Sequence, residues 1–213
     1  MTIRSTLTCT ALALGLWLLP PLAAAADALP YGSFEVAPFF GYQLGGNFRD
    51  IDTGQHYSLD AHAAFALALD APADASSQYE LFYSRQPTVL KGYGLAPLGV
   101  TVEYLHIGGT IPLDEASRAR PYLAGGLGVT RFSPDDPAAS QDTVFSMSLA
   151  LGLRAPLTRH LSVRLEGRGL LSFMDSSGAV FCHSGSQGAA CHLTAQGSGQ
   201  FQFAALAGLA YIF

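Results

Sequence analysis

Charged side chains are scarce in this chain. They make up 13% of its 213 residues, against roughly 25% in an average soluble domain, and Lys91 is the single lysine. We do not expect nucleic-acid binding, because the sequence contains no basic patch. Mean hydropathy is nevertheless positive, at +0.27, without any run of 18 apolar residues that would predict a membrane-spanning helix. Helical spacing is also missing, since no long stretch repeats apolar residues at i, i+3, i+4 and i+7 without also alternating.

The first 26 residues predict a secretory signal peptide. Arg4 precedes a short apolar block at 11–19, and an Ala-x-Ala site stands before Asp27. A membrane anchor is the competing interpretation, but the block is too short to span a bilayer and is followed by two prolines. We therefore expect removal of residues 1–26, export through the periplasm, and a single domain formed by residues 27–213.

Eight segments of strand length follow, each with side chains of alternating character. They span roughly 33–47, 56–70, 77–87, 98–112, 119–133, 142–155, 160–173 and 199–213. Short turns follow the second, fourth and sixth segments, and longer stretches follow the first, third, fifth and seventh. Short turns at one end and long loops at the other are typical of bacterial outer-membrane barrels. The pattern predicts an all-β fold, an eight-stranded antiparallel up-and-down transmembrane β-barrel.

Alternation by itself also fits a soluble barrel with its apolar face inside. The second face of the segments favours the membrane barrel, because it carries small residues where a water-facing surface would carry lysine and glutamate. This small face comprises His56, Ser58, Asp60, His62, Ala64, Ala66 and Ala68 in the second segment and Ser146, Ser148, Ala150, Gly152 and Arg154 in the sixth. We therefore expect the small faces to line the interior and the bulky faces, with aromatic girdles, to contact lipid.

Most charged residues of the segments share the parity of the small faces. They are Glu35, Asp60, Glu80, Glu103, Arg154, Arg164, Glu166 and Arg168. Side chains just fill the interior of an eight-stranded barrel, and arginine pairs bidentately with carboxylates. We therefore expect a salt-bridged plug in place of a continuous water channel. The alternative is a scatter of surface charges.

The fourth and fifth segments fit this scheme least well. With Glu103 inside, the residues facing lipid include Val100, Val102, Tyr104 and His106. A histidine against acyl chains is costly, so the scheme requires a bulge between Glu103 and His106 or an interfacial position for the histidine. The fifth segment has small residues on both faces, and the side chains expected outside are Leu123, Leu127 and Val129.

Cys182 and Cys191 lie nine positions apart in the longest loop. In an oxidising compartment this spacing favours a disulfide, which would close a loop of about ten residues and stabilise it by roughly 3 kcal/mol. The alternative is a zinc site with the ligands Cys182, His183, Cys191 and His192. Adjacent residues seldom both reach one metal, and no Cys-x-x-Cys spacing is present. We expect the disulfide, no metal site and no cofactor.

A catalytic interpretation rests on His56, Ser58 and Asp60. Nucleophilic hydrolysis requires a serine within reach of a histidine that is oriented by an acid, and these three share one face of the second segment. The same spacing is explained by a polar lumen lining, because alternation places any three polar lumen residues in a row. A weaker candidate pairs His106 with Ser84. We expect no enzyme activity.

Several stretches together resemble the OmpA-like/OmpX-like outer-membrane β-barrel family of Gram-negative bacteria. They are VAPFFGYQLGG, YELFYSRQ, VEYLHIGGT, RPYLAGGLGVTRF, RLEGRGLLSF and FQFAALAGLAYIF, within a likeness covering residues 33–213. In such a family the terminal aromatic pattern, here Phe213 with Tyr211 and Leu209, is the signal read by the barrel-assembly machinery. The resemblance implies an outer-membrane location among lipid and lipopolysaccharide.

The functional expectation is an integral outer-membrane barrel with a plugged polar lumen that displays four loops at the cell surface in a structural or surface-interaction role. A small solute pore of the porin type is the first alternative, and a lipid-modifying outer-membrane enzyme is the second. The loops are rich in Gly, Ser, Asp and Pro and indicate no particular surface ligand.

Overall fold

The computed structural model describes residues 33–49, 56–92, 97–114, 118–136, 139–174, 179–185, 188–194 and 199–213. The predicted signal peptide lies outside these ranges. The strands are β1 (Glu35–Leu44), β2 (Asn47–Arg49), β3 (His56–Leu59), β4 (His62–Pro72), β5 (Gln78–Gly92), β6 (Leu98–Pro112), β7 (Arg120–Pro134), β8 (Asp142–Pro156), β9 (Leu161–Phe173), β10 (Ala179–Gly185), β11 (Gly188–Thr194) and β12 (Gly199–Ile212). Within the described ranges we find no helix with the length and hydropathy that crossing a bilayer requires.

The strands close into a barrel of eight staves. β2 extends the first stave, and β3 and β4 together form the second. Around the ring, the order is β1, β4, β5, β6, β7, β8, β9 and β12, and every neighbouring pair is antiparallel. The ring closes where β12 pairs with β1, from Ile212 opposite Glu35 to Phe203 opposite Leu44. The predicted fold class is therefore confirmed.

The two ends of the barrel differ in the length of their connections. Short turns at 73–77, 113–119 and 157–160 lie at one end, together with Glu35 and Phe213, and we call this end the turn side. The longer connections lie at the other end, the loop side. Strands β10 and β11 form a separate hairpin in the last of these connections, where the sequence predicts only a loop.

The outward face of the barrel is apolar. Phe40 and Ile107 are each 71% exposed and Leu149 is 62% exposed, as expected for a wall solvated by hydrocarbon. Aromatic side chains lie near both edges of this surface. They are Phe34, Tyr79, Tyr211 and Phe213 on the turn side and Tyr42, Phe65, Phe145, Phe173 and Phe201 on the loop side.

A bulge in the second stave reverses the facing of its loop-side part. β4 pairs with β5 so that Phe65 is opposite Arg85, whereas β3 pairs with β5 so that Leu59 is opposite Leu90. The second stave therefore holds one more residue than β5 between these pairs, which is a β-bulge. Gly45 permits the close approach of the neighbouring stave, because a Cβ there would lie 1.5 Å from the Leu59 carbonyl oxygen.

The predicted facing of the second segment is wrong at its loop-side end, and the bulge is the reason. Tyr57 and Leu59 are buried inside the barrel, while His56 is exposed and Ser58 is half-exposed. Because side chains alternate with period two, one extra residue moves every later side chain to the opposite face. Beyond the bulge, Ala64, Ala66 and Ala68 face the interior as predicted.

Strand β6 also faces the opposite way from the prediction. Its pairing with β5 and β7 continues in one unbroken register, so the anticipated bulge before His106 is absent. Val102, Tyr104 and His106 are buried inside, and Glu103 faces outward. In the interior, His106 avoids the energetic cost of contact between a histidine and the acyl chains of the lipid. On β7, the described side chains of Leu123, Leu127 and Val129 face outward as expected.

Candidate functional site in the barrel interior

Seven charged side chains meet in the turn-side half of the interior. This charge cluster consists of Glu35 on β1, Asp70 on β4, Glu80 on β5, Arg154 on β8, and Arg164, Glu166 and Arg168 on β9. All seven are buried. Alternate positions of β9 point the same way, which is why one strand supplies three of the seven.

Arg164 lies at the centre of the charge cluster and is 0% exposed. Its Nη1 donates to Oε1 of Glu35 at 2.8 Å and to Oδ2 of Asp70 at 2.5 Å. Its Nε donates to the hydroxyl of Tyr122 at 3.2 Å, and its guanidinium also lies 4.8 Å from the centre of that ring. Arg164 therefore joins three staves to β9.

Arg168 forms the second centre of the charge cluster. Its Nη2 donates to Oε1 of Glu80 at 2.7 Å, and its Nε donates to Oε1 of Glu166 at 2.7 Å. The guanidinium lies 3.7 Å from the centre of the Phe82 ring, within cation–π distance. β5 and β9 lie diametrically opposite in the ring of eight staves, so the contact between Glu80 and Arg168 spans the interior.

The buried charges of the described residues balance. Arg120 is a fourth buried guanidinium, opposite Arg154 in the ladder between β7 and β8. Counted as ionised, the four buried guanidiniums equal in number the four carboxylates of the charge cluster. Burying a charge without a partner is expensive, and this balance is what permits so many charges in a low-dielectric interior.

Six of the eight charges predicted for the lumen meet in this way, and two do not. Asp60 lies beside the bulge at the loop side, and its Oδ2 is 2.5 Å from Nζ of Lys91. Glu103 lies on the outer face and accepts a hydrogen bond from the Tyr83 hydroxyl at 2.6 Å. The bulge accounts for the position of Asp60, and the unbroken register of β6 accounts for that of Glu103.

Two members of this half of the interior, Asp70 and Arg120, were not predicted from the sequence. Asp70 continues the even-numbered series of the second segment that ends at Ala68, and Arg120 shares the parity of the buried Tyr122 on β7. Extending each alternating series by one step toward the turn would have identified both residues.

Uncharged polar side chains form a second layer above the charge cluster. The Tyr104 hydroxyl on β6 donates to Oε1 of Gln202 on β12 at 2.5 Å, and these two staves are also diametrically opposite. Nε2 of Gln202 donates to Oε1 of Gln86 at 3.2 Å, and Nε2 of Gln43 donates to Oε1 of Gln202 at 2.9 Å. Four staves are thus joined through amides and one phenol.

The loop-side end of the interior is mostly apolar, although Thr88 and Gln200 are also buried there. Its buried side chains include Tyr57, Leu59, Leu90, Val100, Phe132 and Met174. We call this set the apolar cap. It separates the polar layers below from the long connections above, and burial of such side chains is favourable at about 25 cal/mol per Å².

The candidate catalytic residues do not form a hydrolytic triad. His56 and Ser58 face outward on β3, and Asp60 is paired with Lys91. His106 is buried, with Nε2 2.8 Å from the Ser146 hydroxyl and Nδ1 3.0 Å from that of Ser148. Its hydrogen-bonding partners are therefore two serines of β8 and not Ser84.

The backbone of the loop-side hairpin places Cys182 on β10 opposite Cys191 on β11 in the antiparallel register. This juxtaposition is compatible with the predicted disulfide, which stays a prediction, as does the zinc alternative. Among the described residues, no group of three or more His, Cys, Asp or Glu side chains is arranged to hold a metal ion.

The predicted assembly-signal residues lie on one face of the closing stave. Leu209, Tyr211 and Phe213 are all exposed on the outer surface, and the Phe213 backbone nitrogen donates to the Phe34 carbonyl oxygen at 3.0 Å. Their role in assembly stays a prediction.

No protein-family model matches the sequence, and no curated protein matches it. Solved structures do match. The outer membrane protein OprG from Pseudomonas aeruginosa is 13% identical, with a TM-score of 0.58 over 86% of this chain and 97% of that one. Neisserial surface protein A is 14% identical, with a TM-score of 0.58 over 85% and 97% of the two chains. AlkL, solved by solid-state NMR in lipid bilayers, is 16% identical, with a TM-score of 0.52 over 89% and 94%. These likenesses establish the fold, that of an eight-stranded outer-membrane barrel.

Proposed function

We propose that this chain is an integral outer-membrane barrel with a closed interior, which acts through the loops it displays and not through transport or catalysis. The contacts that join diametrically opposite staves carry this proposal. Glu80 reaches Arg168 at 2.7 Å in the charge cluster, and Tyr104 reaches Gln202 at 2.5 Å in the layer above. A water-filled passage would require both contacts to be absent or displaced.

The closed interior also argues for the loops as the functional part. Rigid scaffolds commonly position binding residues on their loops, and a barrel whose wall contacts lipid has few other surfaces to offer. Within the loops, we propose a disulfide between Cys182 and Cys191 that restrains the hairpin of β10 and β11. During biogenesis, we expect the barrel-assembly machinery to read Phe213, Tyr211 and Leu209.

The test is single-channel recording on the purified full chain in planar bilayers. Folding is checked on the same sample by the shift in gel mobility after boiling. We expect negligible conductance from the wild type. The double variant E80A/R168A removes the contact between β5 and β9 while keeping the formal charges balanced. We expect no conductance from it either, because the contact between Tyr104 and Gln202 and the apolar cap remain. Conductance steps from this variant would show that the charge cluster alone closes the interior. Steady steps from the wild type would instead favour the solute pore.

The absence of catalysis is tested separately. We expect no loss of acyl chains when the folded protein is incubated with lipopolysaccharide and the lipid is analysed by mass spectrometry. Acyl loss that disappears in His56→Ala or Ser58→Ala would establish the lipid-modifying enzyme and contradict the proposal.

A further inference from the structure

Three charged side chains mark the loop-side edge of the apolar outer face on neighbouring staves. On β5, β6 and β7, the outward positions nearer the turn side carry Tyr83, Leu105 and Val129, and the next outward positions toward the loops carry the charges. Arg85 is opposite Glu103, and Glu103 is opposite Arg131. Side chains directly opposite in a sheet lie about 5 Å apart at Cβ, so these three form one continuous row. We call it the basic row.

The basic row keeps a net positive charge. Two exposed guanidiniums flank one carboxylate, and that carboxylate already accepts a hydrogen bond from the Tyr83 hydroxyl at 2.6 Å. Arg131 donates to the side-chain oxygen of Gln141. Across the described residues, neither guanidinium is ion-paired with a carboxylate. Lys91, further along β5, differs because Asp60 lies 2.5 Å from its Nζ.

The position of the basic row determines what surrounds it. Leu105 is 47% exposed and belongs to the apolar wall, whereas Thr101 and Ser133 follow Glu103 and Arg131 toward the loops. The row therefore lies where hydrocarbon gives way to lipid headgroups. Long arginine side chains at such a level extend toward the headgroups, and the planar guanidinium matches phosphate oxygens bidentately.

We propose that Arg85 and Arg131 bind the phosphorylated headgroup of a lipid in the leaflet around the loop side, with its acyl chains against the apolar wall below. This inference rests on the proposed membrane location, with the loop side outward. Glu103 lies between the two cations and repels the phosphate, so it weakens binding. We therefore expect that replacing the two arginines weakens binding of the phosphorylated lipid and that replacing Glu103 strengthens it.

The experiment uses the full chain folded in a non-ionic detergent, with lipid binding measured by native mass spectrometry. The probes are bis-phosphorylated lipid A, dephosphorylated lipid A and inorganic phosphate. We expect R85Q/R131Q to bind phosphorylated lipid A about 30-fold more weakly, because each basic residue near an anionic surface contributes a few-fold to tenfold. We expect E103Q to bind it several-fold more tightly, an effect that a merely structural role would not produce. The matched control is R118Q, which removes one exposed arginine at the turn side and should leave the affinity unchanged.

Several results would overturn the inference. They are equal affinity for the dephosphorylated lipid, no loss in R85Q/R131Q, an equal loss in R118Q, and displacement by millimolar inorganic phosphate, which would assign the row to free anions. Each variant is first checked for the mobility shift after boiling, and the single variants R85Q and R131Q replace the double variant if it does not fold. Conductance of the wild type would remove the closed-interior proposal and leave the lipid result standing, so the two failures are distinguishable.

Discussion

The two halves of the barrel interior are filled by different chemistry although the same eight staves enclose both. Toward the turns, the buried side chains are ion-paired, with Arg164 between Glu35 and Asp70. Toward the loops, above the layer of amides, most of them are apolar, as in Leu90 and Phe132 of the apolar cap. Either kind of side chain can fill a narrow barrel, because side chains alone fill an interior of this width.

The comparison shows that closure and stability are separate matters. The charged groups of the cluster lose their hydration on burial, and only their contacts with one another offset that cost in free energy. The net contribution of these ion pairs to stability is therefore small, even though breaking one of them is costly. The apolar cap stabilises the fold through burial of its own surface. We therefore expect the halves to respond differently when single side chains are truncated.

The largest effect is expected from Arg164→Met. This change leaves Glu35 and Asp70 buried without their shared partner and should lower the free energy of unfolding by about 3–5 kcal/mol. The free energy of unfolding is measured by urea unfolding in lipid vesicles, with the folded fraction read from gel mobility without boiling. Adding Asp70→Asn should recover part of the loss because it removes one uncompensated charge. If the double variant were less stable than the single one, the charge-balance account of the turn side would fail.

A smaller effect is expected in the apolar cap from Leu90→Ala. The cavity left behind should cost about 2–3 kcal/mol, toward the lower end of the range for leucine because the site lies near the open end of the barrel. The same unfolding measurement applies. The changes in unfolding free energy caused by Leu90→Ala and by Asp70→Asn should be additive, because the two sites lie in separate halves of the interior. Strong coupling between them would contradict the division of the interior.

Changing both Cys182 and Cys191 to serine should loosen the loop-side hairpin and leave the stability of the barrel unchanged. The disulfide acts on about ten residues and contributes roughly 3 kcal/mol to local order at most. We therefore expect faster proteolytic cleavage of the hairpin and an unchanged urea midpoint for the barrel. Prompt alkylation of both cysteines in the unreduced wild type would contradict the disulfide.

The smallest effect concerns the first turn, at Asp74. The Ser77 hydroxyl donates to its Oδ2 at 2.6 Å and the Ser76 backbone nitrogen to its Oδ1 at 2.8 Å, and these bonds lower the pKa of the Asp74 carboxyl below its ordinary 3.8. The stabilisation is complete above that ordinary pKa and is lost as the pH falls through the lowered one. Ser77→Ala should move the pKa, measured by NMR titration, back toward 3.8. An unchanged pKa would show that the hydroxyl bond is not its cause.

Sequence alternation identified the interior face correctly on β8 and β9. The parity of Ser146, Ser148 and Arg154 on β8 and of Arg164 and Arg168 on β9 follows from period two and is the parity seen. Most of the departures lie in the loop-side half, where bulky residues such as Tyr57 and Tyr104 are inside. The rule that small residues face inward therefore predicts which parity lines the turn-side half, although Phe82 and Tyr122 are also inside there, and it does not hold in the apolar cap.

The sequence by itself determined the fold class and six of the seven members of the charge cluster, all except Asp70, because strand alternation and segment spacing are local properties of the chain. Only the tertiary structure decided that Asp60 pairs with Lys91, that Glu103 joins the basic row, and that Asp70 meets Arg164. Those outcomes depend on a one-residue bulge and on which staves face each other across the ring. Both are set by the register between strands distant in sequence, which no single segment encodes.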